Sequence, residues 1–195
     1  MKKIIAGVTG ASGSIYAKNF IKRAAYLGLD LRLIASDMGA SVFKHETGES
    51  ISDFVKKVKK SPECTGSITL YDNSDMFADI ASGSCRTEGM IILPCSVKTL
   101  ACVANGIAGT LLERAADVTL KEGRKLILAV RETPLSLVHL RNMTLAAEAG
   151  AVILPASPGF YHSPASIDEL ADFISGKIFD QLNIEHGLDT AWKSI

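Results

Sequence analysis

Apolar positions along this chain fall into two patterns that alternate. Short, nearly continuous runs occur at Lys3-Ile4-Ile5-Ala6-Gly7-Val8, Leu31-Arg32-Leu33-Ile34-Ala35, Gly89-Met90-Ile91-Ile92-Leu93-Pro94, Lys125-Leu126-Ile127-Leu128-Ala129-Val130 and Ala151-Val152-Ile153-Leu154. Runs of this length and character predict strands buried on both faces. Between them the apolar residues recur at helical spacing. Ile15, Phe20, Ile21 and Ala24 share one face while Lys18, Lys22 and Arg23 are left for water, and Ile51, Phe54, Val55 and Val58 make 51–60 an amphipathic surface helix. Further helices are predicted over 38–44, 111–121, 136–149 and 166–182, and one more starting at Ser96, a good N-cap. Residues 67–71 form a weaker strand suited to a sheet edge. Residues 75–87 are a polar connection long enough to hint at a role. Strands and helices alternate without hairpins, which predicts an α/β fold: a doubly wound, Rossmann-like, mainly parallel sheet with helices on both faces.

Composition narrows the class. The 195 residues, with no repeat and no linker, predict one domain over 1–195 with one sizeable core. Acidic and basic residues balance at 21 each, so no basic field is available for nucleic acid or an anionic membrane. The apolar stretch after Met1-Lys2-Lys3 is too short for a signal peptide and runs straight into a Gly-rich turn. No run approaches the roughly 18 apolar residues of a membrane span. Cys64, Cys85, Cys95 and Cys102 have no metal-ligand spacing and read as reduced thiols. A cytoplasmic protein is expected.

Candidate chemistry gathers where strands end. Thr9-Gly10-Ala11-Ser12-Gly13 leaves the first strand and opens the first helix, an arrangement that turns backbone N–H groups and a helix N-terminus toward a phosphate or the edge of a cofactor ring. It is neither the spaced G-x-G-x-x-G fingerprint nor a Walker A loop, and read alone it serves equally as a plain turn. Ser36 ends the second strand, Ser96, Val97, Lys98 and Thr99 follow the fourth, and Arg131-Glu132 follow the fifth. On a doubly wound sheet these loops converge on one edge, the usual place for a ligand.

Six stretches, in order, resemble the UbiX/Pad family of flavin prenyltransferases: Thr9-Gly10-Ala11-Ser12-Gly13, Leu93-Pro94-Cys95-Ser96-Val97-Lys98-Thr99-Leu100, Glu113-Arg114-Ala115-Ala116-Asp117-Val118, Leu120-Lys121-Glu122-Gly123-Arg124, Arg131-Glu132-Thr133-Pro134-Leu135 and Pro158-Gly159-Phe160-Tyr161-His162. The Leu-Lys-Glu-Gly-Arg version is also similar to the small subunits encoded with hydroxyarylic acid decarboxylases. The resemblance implies a flavodoxin-like subunit in a dodecamer, with the tail from about residue 183 packing on a neighbouring subunit. It implies transfer of a dimethylallyl group from dimethylallyl phosphate to reduced FMN, at N5 and then C6. The product, prenylated FMN, would serve a UbiD-type decarboxylase. No metal is implied, and the chain has no Asp-Asp-x-x-Asp array to hold one.

By the same resemblance Gly10, Ala11, Ser12, Ser36, Ser96, Val97, Lys98, Thr99 and Arg131 contact FMN. Ser12, Glu46 and Glu132 stand at the reacting centre, where carboxylates stabilise an allylic cation and accept the proton from C6. Lys121, Tyr161 and Lys177 grip the prenyl phosphate. Lys177 departs from the Arg of many members and loses the bidentate fork. Each residue also has a plainer reading: Ser36 as a helix cap, Lys98, Lys177 and Glu46 as exposed charges (Glu46 in a polar loop), Glu132 as the partner of Arg131. Arg114 is read as structural, paired with Glu113 or Asp117, and His139 and His162 likewise as structural. Trp192 is either an aromatic facing the cation or an anchor to a neighbour. The rival to catalysis is a carrier subunit that holds FMN or its prenylated form. An FMN-dependent cysteine decarboxylase is disfavoured by Ser12 and by the phosphate set.

Overall fold

The computed structural model describes residues 1–188. Trp192 and the end of the tail lie outside them. Six parallel strands form one sheet in the order β3-β2-β1-β4-β5-β6: β1 Lys3–Val8, β2 Asp30–Ala35, β3 Ser67–Tyr71, β4 Gly89–Cys95, β5 Lys125–Val130 and β6 Val152–Ile153. The helices are α1 Ser14–Tyr26, α2 Asp37–Thr47, α3 Ile51–Lys60, α4 Val97–Ala104, α5 Leu111–Lys121, α6 Leu137–Glu148 and α7 Ile167–Gln181.

Strand alternation splits the core in two. Ile4, Ala6 and Val8 of β1 point to the face covered by α1, α3 and α7, where Phe20 stacks on Phe179 with centroids 4.9 Å apart. Ile5 points to the other face and packs with Leu111, Leu112, Ala115 and Ala116 of α5. Gly7 lies on that second face because α5 comes so close: a Cβ there would sit 3.0 Å from Leu112 Cδ1. The central strands are buried on both sides, which is why they read as continuous apolar runs. Edge strand β3 exposes Thr69, hence its weaker pattern. In α3, Ser50 caps the Asp53 N–H at 3.1 Å, and Lys56, Lys57, Lys59 and Lys60 line the wet face.

Beyond shifts of one residue at element ends, the boundaries of three elements stand out from the sequence reading. Helix α2 continues three residues beyond Lys44, until Gly48 adopts a left-handed φ of 77° and closes it. Strand β4 extends to Cys95, with its register against β5 irregular between Ile92 and Cys95 because Pro94 offers no N–H to the ladder. Strand β6 shrinks to two residues. The polar connection before β4 contains a 3₁₀ turn, Asp79–Ala81, that anchors it through buried Ile80.

Candidate active site

The strand order reverses at β1, which has β2 on one side and β4 on the other. Beyond their carboxyl ends the flanking loops separate and leave a crevice. Thr9 ties the crevice floor together. Its hydroxyl donates to the Pro94 carbonyl at 2.7 Å and accepts the Ser96 N–H at 2.8 Å, and the residue is 1 % exposed. The sequence motif assigns Thr9 no role of its own, because a Thr before a Gly reads as turn composition.

A cleft of about 410 Å³ opens here, lined by Gly10, Ser36, Met38, Ser96, Lys98 and Thr99 among others. Ser36 caps α2 by accepting the Gly39 N–H at 3.0 Å, and Ser96 caps α4 by accepting the Thr99 N–H at 3.3 Å. Thr110, also on the wall, caps α5 in a reciprocal box with Glu113. Three helix N-termini therefore meet at one cleft, a setting that favours an anion. The cap and ligand readings of Ser36 are compatible, since a capping oxygen retains a lone pair and its O–H; the Ser96 hydroxyl also donates to Thr99 Oγ1 at 3.1 Å and keeps a lone pair. Asn73, absent from the sequence candidates, lies on the same wall. It accepts the N–H groups of Leu111 and Leu112 and so fixes the start of α5. Its only sequence signal is a polar residue just past a strand end.

Lys98 is exposed, yet its ammonium pairs with Glu113, whose side chain is 5 % exposed. The other Glu113 oxygen accepts the N–H groups of Gly109 and Thr110 at 3.0 and 3.1 Å. Burial pushes the Glu113 carboxyl up, but Lys98, Cys102 and the Gly109 N–H outweigh it and leave it below the usual range. Arg114 pairs with Asp117 at 2.7 Å and donates to the Ala81 carbonyl, the structural role expected, with Asp117 rather than Glu113 as partner.

Glu46 is in the last turn of α2, not in a loop. Its carboxylate accepts the Gly13 N–H at 3.0 Å and the Ser14 N–H at 2.7 Å. It therefore occupies the N-terminus of α1, the anion position that the Gly-rich turn had suggested for a ligand. Gly13 makes the turn with a φ of 109°. Burial alone would raise the Glu46 pKa, but hydrogen bonds from the Ser12 hydroxyl, from Ser14 and from the Gly13 N–H hold it at about 2. Ser12 and Glu46 are thus one unit at the loop tip.

A second cleft, of about 430 Å³, is lined by Arg131, Glu132, Pro134, Ala156 and Ser157. The Arg131 N–H donates to the Cys95 carbonyl at 3.1 Å, which sets Arg131 beside the Ser96 turn. Glu132 accepts the Thr133 N–H at 3.0 Å and forms no ion pair with Arg131. Tyr16 links this cleft to the first loop. Its ring underlies Gly13, where a Cβ would approach Tyr16 Cδ2 to 2.8 Å, and its hydroxyl donates to the Ala156 carbonyl at 3.4 Å. Burial raises the Tyr16 pKa, against the opposing pull of nearby Arg131.

The three residues expected to grip phosphate do not meet within one chain. Tyr161 and Lys177 both approach Phe173: the Tyr161 ring edge-on at 5.6 Å and the Lys177 ammonium over the ring at 5.6 Å. Lys121 ends α5, four residues before β5 begins, and pairs with Glu122 at 2.6 Å. It lies at the amino end of the sheet, about 20 Å along β5 from Arg131. His139 completes the cap of α6, its Nδ1 accepting the Ser136 N–H at 3.2 Å, and His162 stacks on Phe173 at 5.3 Å. Among the described residues no group of three or more His, Cys, Asp and Glu side chains is placed to hold a metal.

Residues 1–179 match the Flavoprotein family model. The chain is 43 % identical over 198 residues to the flavin prenyltransferase UbiX of Methanothermobacter thermautotrophicus, covering 98 % of this chain and 96 % of that one. The crystal structure of AnUbiX (PadA1) in complex with FMN and dimethylallyl pyrophosphate superposes with a TM-score of 0.90 at 36 % identity, covering 100 % of this chain and 98 % of that one. A dodecameric FMN-dependent UbiX-like decarboxylase from Escherichia coli O157:H7 superposes at 0.88 with 35 % identity, covering 99 % of this chain and 100 % of that one. With that identity across nearly its whole length, and with a fold that superposes on theirs from end to end, the chain belongs to the UbiX family of flavin prenyltransferases.

Proposed function

We propose that the protein transfers a dimethylallyl group from dimethylallyl phosphate to reduced FMN, and that the prenylated flavin passes to a UbiD-type decarboxylase. The observation that carries this reading is the meeting of three helix N-termini, α2, α4 and α5, at one cleft that Gly10 of the Gly-rich turn also lines. Such a cleft suits the phosphate of FMN, with Ser36, Ser96, Val97, Lys98 and Thr99 around it and the Gly10-Ala11-Ser12 turn against the ring system. FMN, when bound in reduced form, supplies the nucleophile.

The chain's own groups have distinct tasks. Arg131 faces the flavin from the neighbouring strand end. Glu46 accepts the Ser12 hydroxyl and orients it toward the ring edge. Glu132 takes the proton released from C6 and offers negative charge to the allylic cation. Tyr161 and Lys177 hold the phosphate of the donor until it leaves. Lys121 completes that grip from a neighbouring copy, because its own chain carries it on the other face of the sheet from Lys177. The assembly is a homo-oligomer, and a dodecamer matches the Escherichia coli relative. Closure between copies keeps water from the cation. The four cysteines are free thiols and no described helix is long and apolar enough to cross a membrane, in keeping with work in the cytoplasm.

The test is anaerobic and metal-free: purified protein, reduced FMN and dimethylallyl phosphate, with the extracted flavin weighed by mass spectrometry. A gain of one prenyl unit is expected. Glu132→Gln should lower that yield at least about 100-fold while FMN binding survives. Unchanged flavin from wild-type protein that binds FMN tightly would leave only a carrier.

A further inference from the structure

Asp180 is the penultimate residue of α7 and its carboxylate is held from two sides. Oδ1 lies 3.1 Å from His186 Nε2, and Oδ2 lies 3.6 Å from Lys177 Nζ. The His186 side chain is only 9 % exposed, and its ring stacks on Phe179 at 5.8 Å. Nδ1 of that ring accepts the Leu188 N–H at 3.0 Å. In the neutral ring the proton is therefore on Nε2, which donates to Asp180. Both nitrogens are used, and the ring has one orientation.

Two features separate this from an ordinary surface ion pair. A carboxylate in the last turn opposes the helix dipole, so α7 gains nothing from Asp180 by itself. The comparable i,i+3 pair in α3, Asp53 with Lys56, joins side chains 60 % and 67 % exposed; there the carboxylate's other partner is the nearby helix cap, Ser50, and no distant segment anchors it. Asp180 is instead fixed by a histidine six residues on, after the helix has ended, and so is aimed at the cation that stands over Phe173 beside Tyr161.

We infer that Asp180, locked by His186, is a specificity-determining residue that offsets the charge of Lys177 and favours a monophosphate donor over a diphosphate. The inference rests on the proposed role of Lys177 as a phosphate contact. A lone ammonium would attract the donor with more negative charge most strongly. A carboxylate held 3.6 Å away, in a pair whose side chains are 39 % and 49 % exposed, offsets part of that field and repels the additional charge of a second phosphate. His186 holds the carboxylate in its orientation toward Lys177.

The experiment uses the full chain loaded with FMN and measures calorimetric Kd values for inorganic phosphate and pyrophosphate. Asp180→Asn should lower the ratio of the pyrophosphate Kd to the phosphate Kd by about two- to fivefold, the range of an exposed pair. The ratio of KM values for dimethylallyl diphosphate and monophosphate should fall in step, with FMN affinity unchanged. His186→Phe keeps the stack and loses the hydrogen bond, so it should shift the ratio in the same direction. His186→Gln retains an N–H donor and should restore it. An unchanged ratio in Asp180→Asn overturns the inference, as does failure of either anion to bind the wild-type protein. A shifted ratio in a protein that transfers no prenyl group upholds the inference and removes the proposed function instead.

Discussion

The plainer sequence reading of Glu46 is an exposed carboxylate in a polar loop, and its partners in the structure give it a specific task. It joins α2 to the first turn of α1 by taking N–H groups that no residue of α1 can satisfy. Its carboxyl is held at about 2, against an ordinary value of 4.5. A depressed folded-state value means the stabilisation is complete above about pH 5 and drains away as pH falls toward 2. Discounted for exposure, the contribution is about 1 kcal/mol. Glu46→Gln should therefore lose about that much stability at pH 7 in urea unfolding, and its stability should fall less steeply than the wild type's between pH 5 and 2. A parallel decline of both proteins would show that the carboxylate is not coupled to folding.

Elements are held in register at the site by a few buried polar atoms. Thr9 is one of them, because its hydroxyl joins the carboxyl ends of β1 and β4. Thr9→Val preserves shape, leaves the partly buried Ser96 N–H unpaired and leaves the Pro94 carbonyl only the residue 9 N–H at 3.3 Å, at a cost of about 1–3 kcal/mol. Urea midpoints should register that loss. FMN affinity should weaken as well, since the Ser96 turn sits on that bond. Retained affinity with lowered stability would mean that α4 finds its position by packing alone. The helix starts are legible in the sequence: Ser36, Ser50, Ser96 and Ser166 are N-caps with their oxygens on the expected backbone N–H groups. The end of α2 is not, because a Glu-Thr-Gly sequence reads as loop, whereas a helix runs until Gly48 actually turns left-handed.

Across the whole molecule, the separation of Lys121 from Lys177 has a direct consequence. Helices α5 and α7 both run back toward the amino end of the sheet, but on opposite faces, so the sheet itself stands between the two lysines. Helix α6 meanwhile presents Leu137, Val138, Leu140 and Leu145 to the outside, a patch suited to contact between copies. Lys121→Ala and Lys177→Ala, each inactive alone, should regain part of their activity after mixing through disassembly and reassembly. Hybrid assemblies then hold some junctions with both lysines intact. Prenylation by the mixture checks this, and no recovery in verified hybrids would place both lysines in service of the same chain.

The sequence by itself determined the alternation of strands and helices, the sheet's burial on both faces and the cluster of polar loops at one edge. These follow from local periodicity, capping chemistry and the rule that parallel strands end together. It also carried the family, through motifs spread over the chain. Only the tertiary structure decided which polar groups are already engaged. Glu46 sits on the α1 N-terminus, Glu113 holds Lys98, and His186 pins Asp180. These pairings join residues from different turns and loops, and no spacing rule predicts which carboxylate a given cation or N–H group will find. The split of the phosphate set is decided in the same way, because α5 and α7 pack on opposite faces of the sheet and carry Lys121 and Lys177 with them.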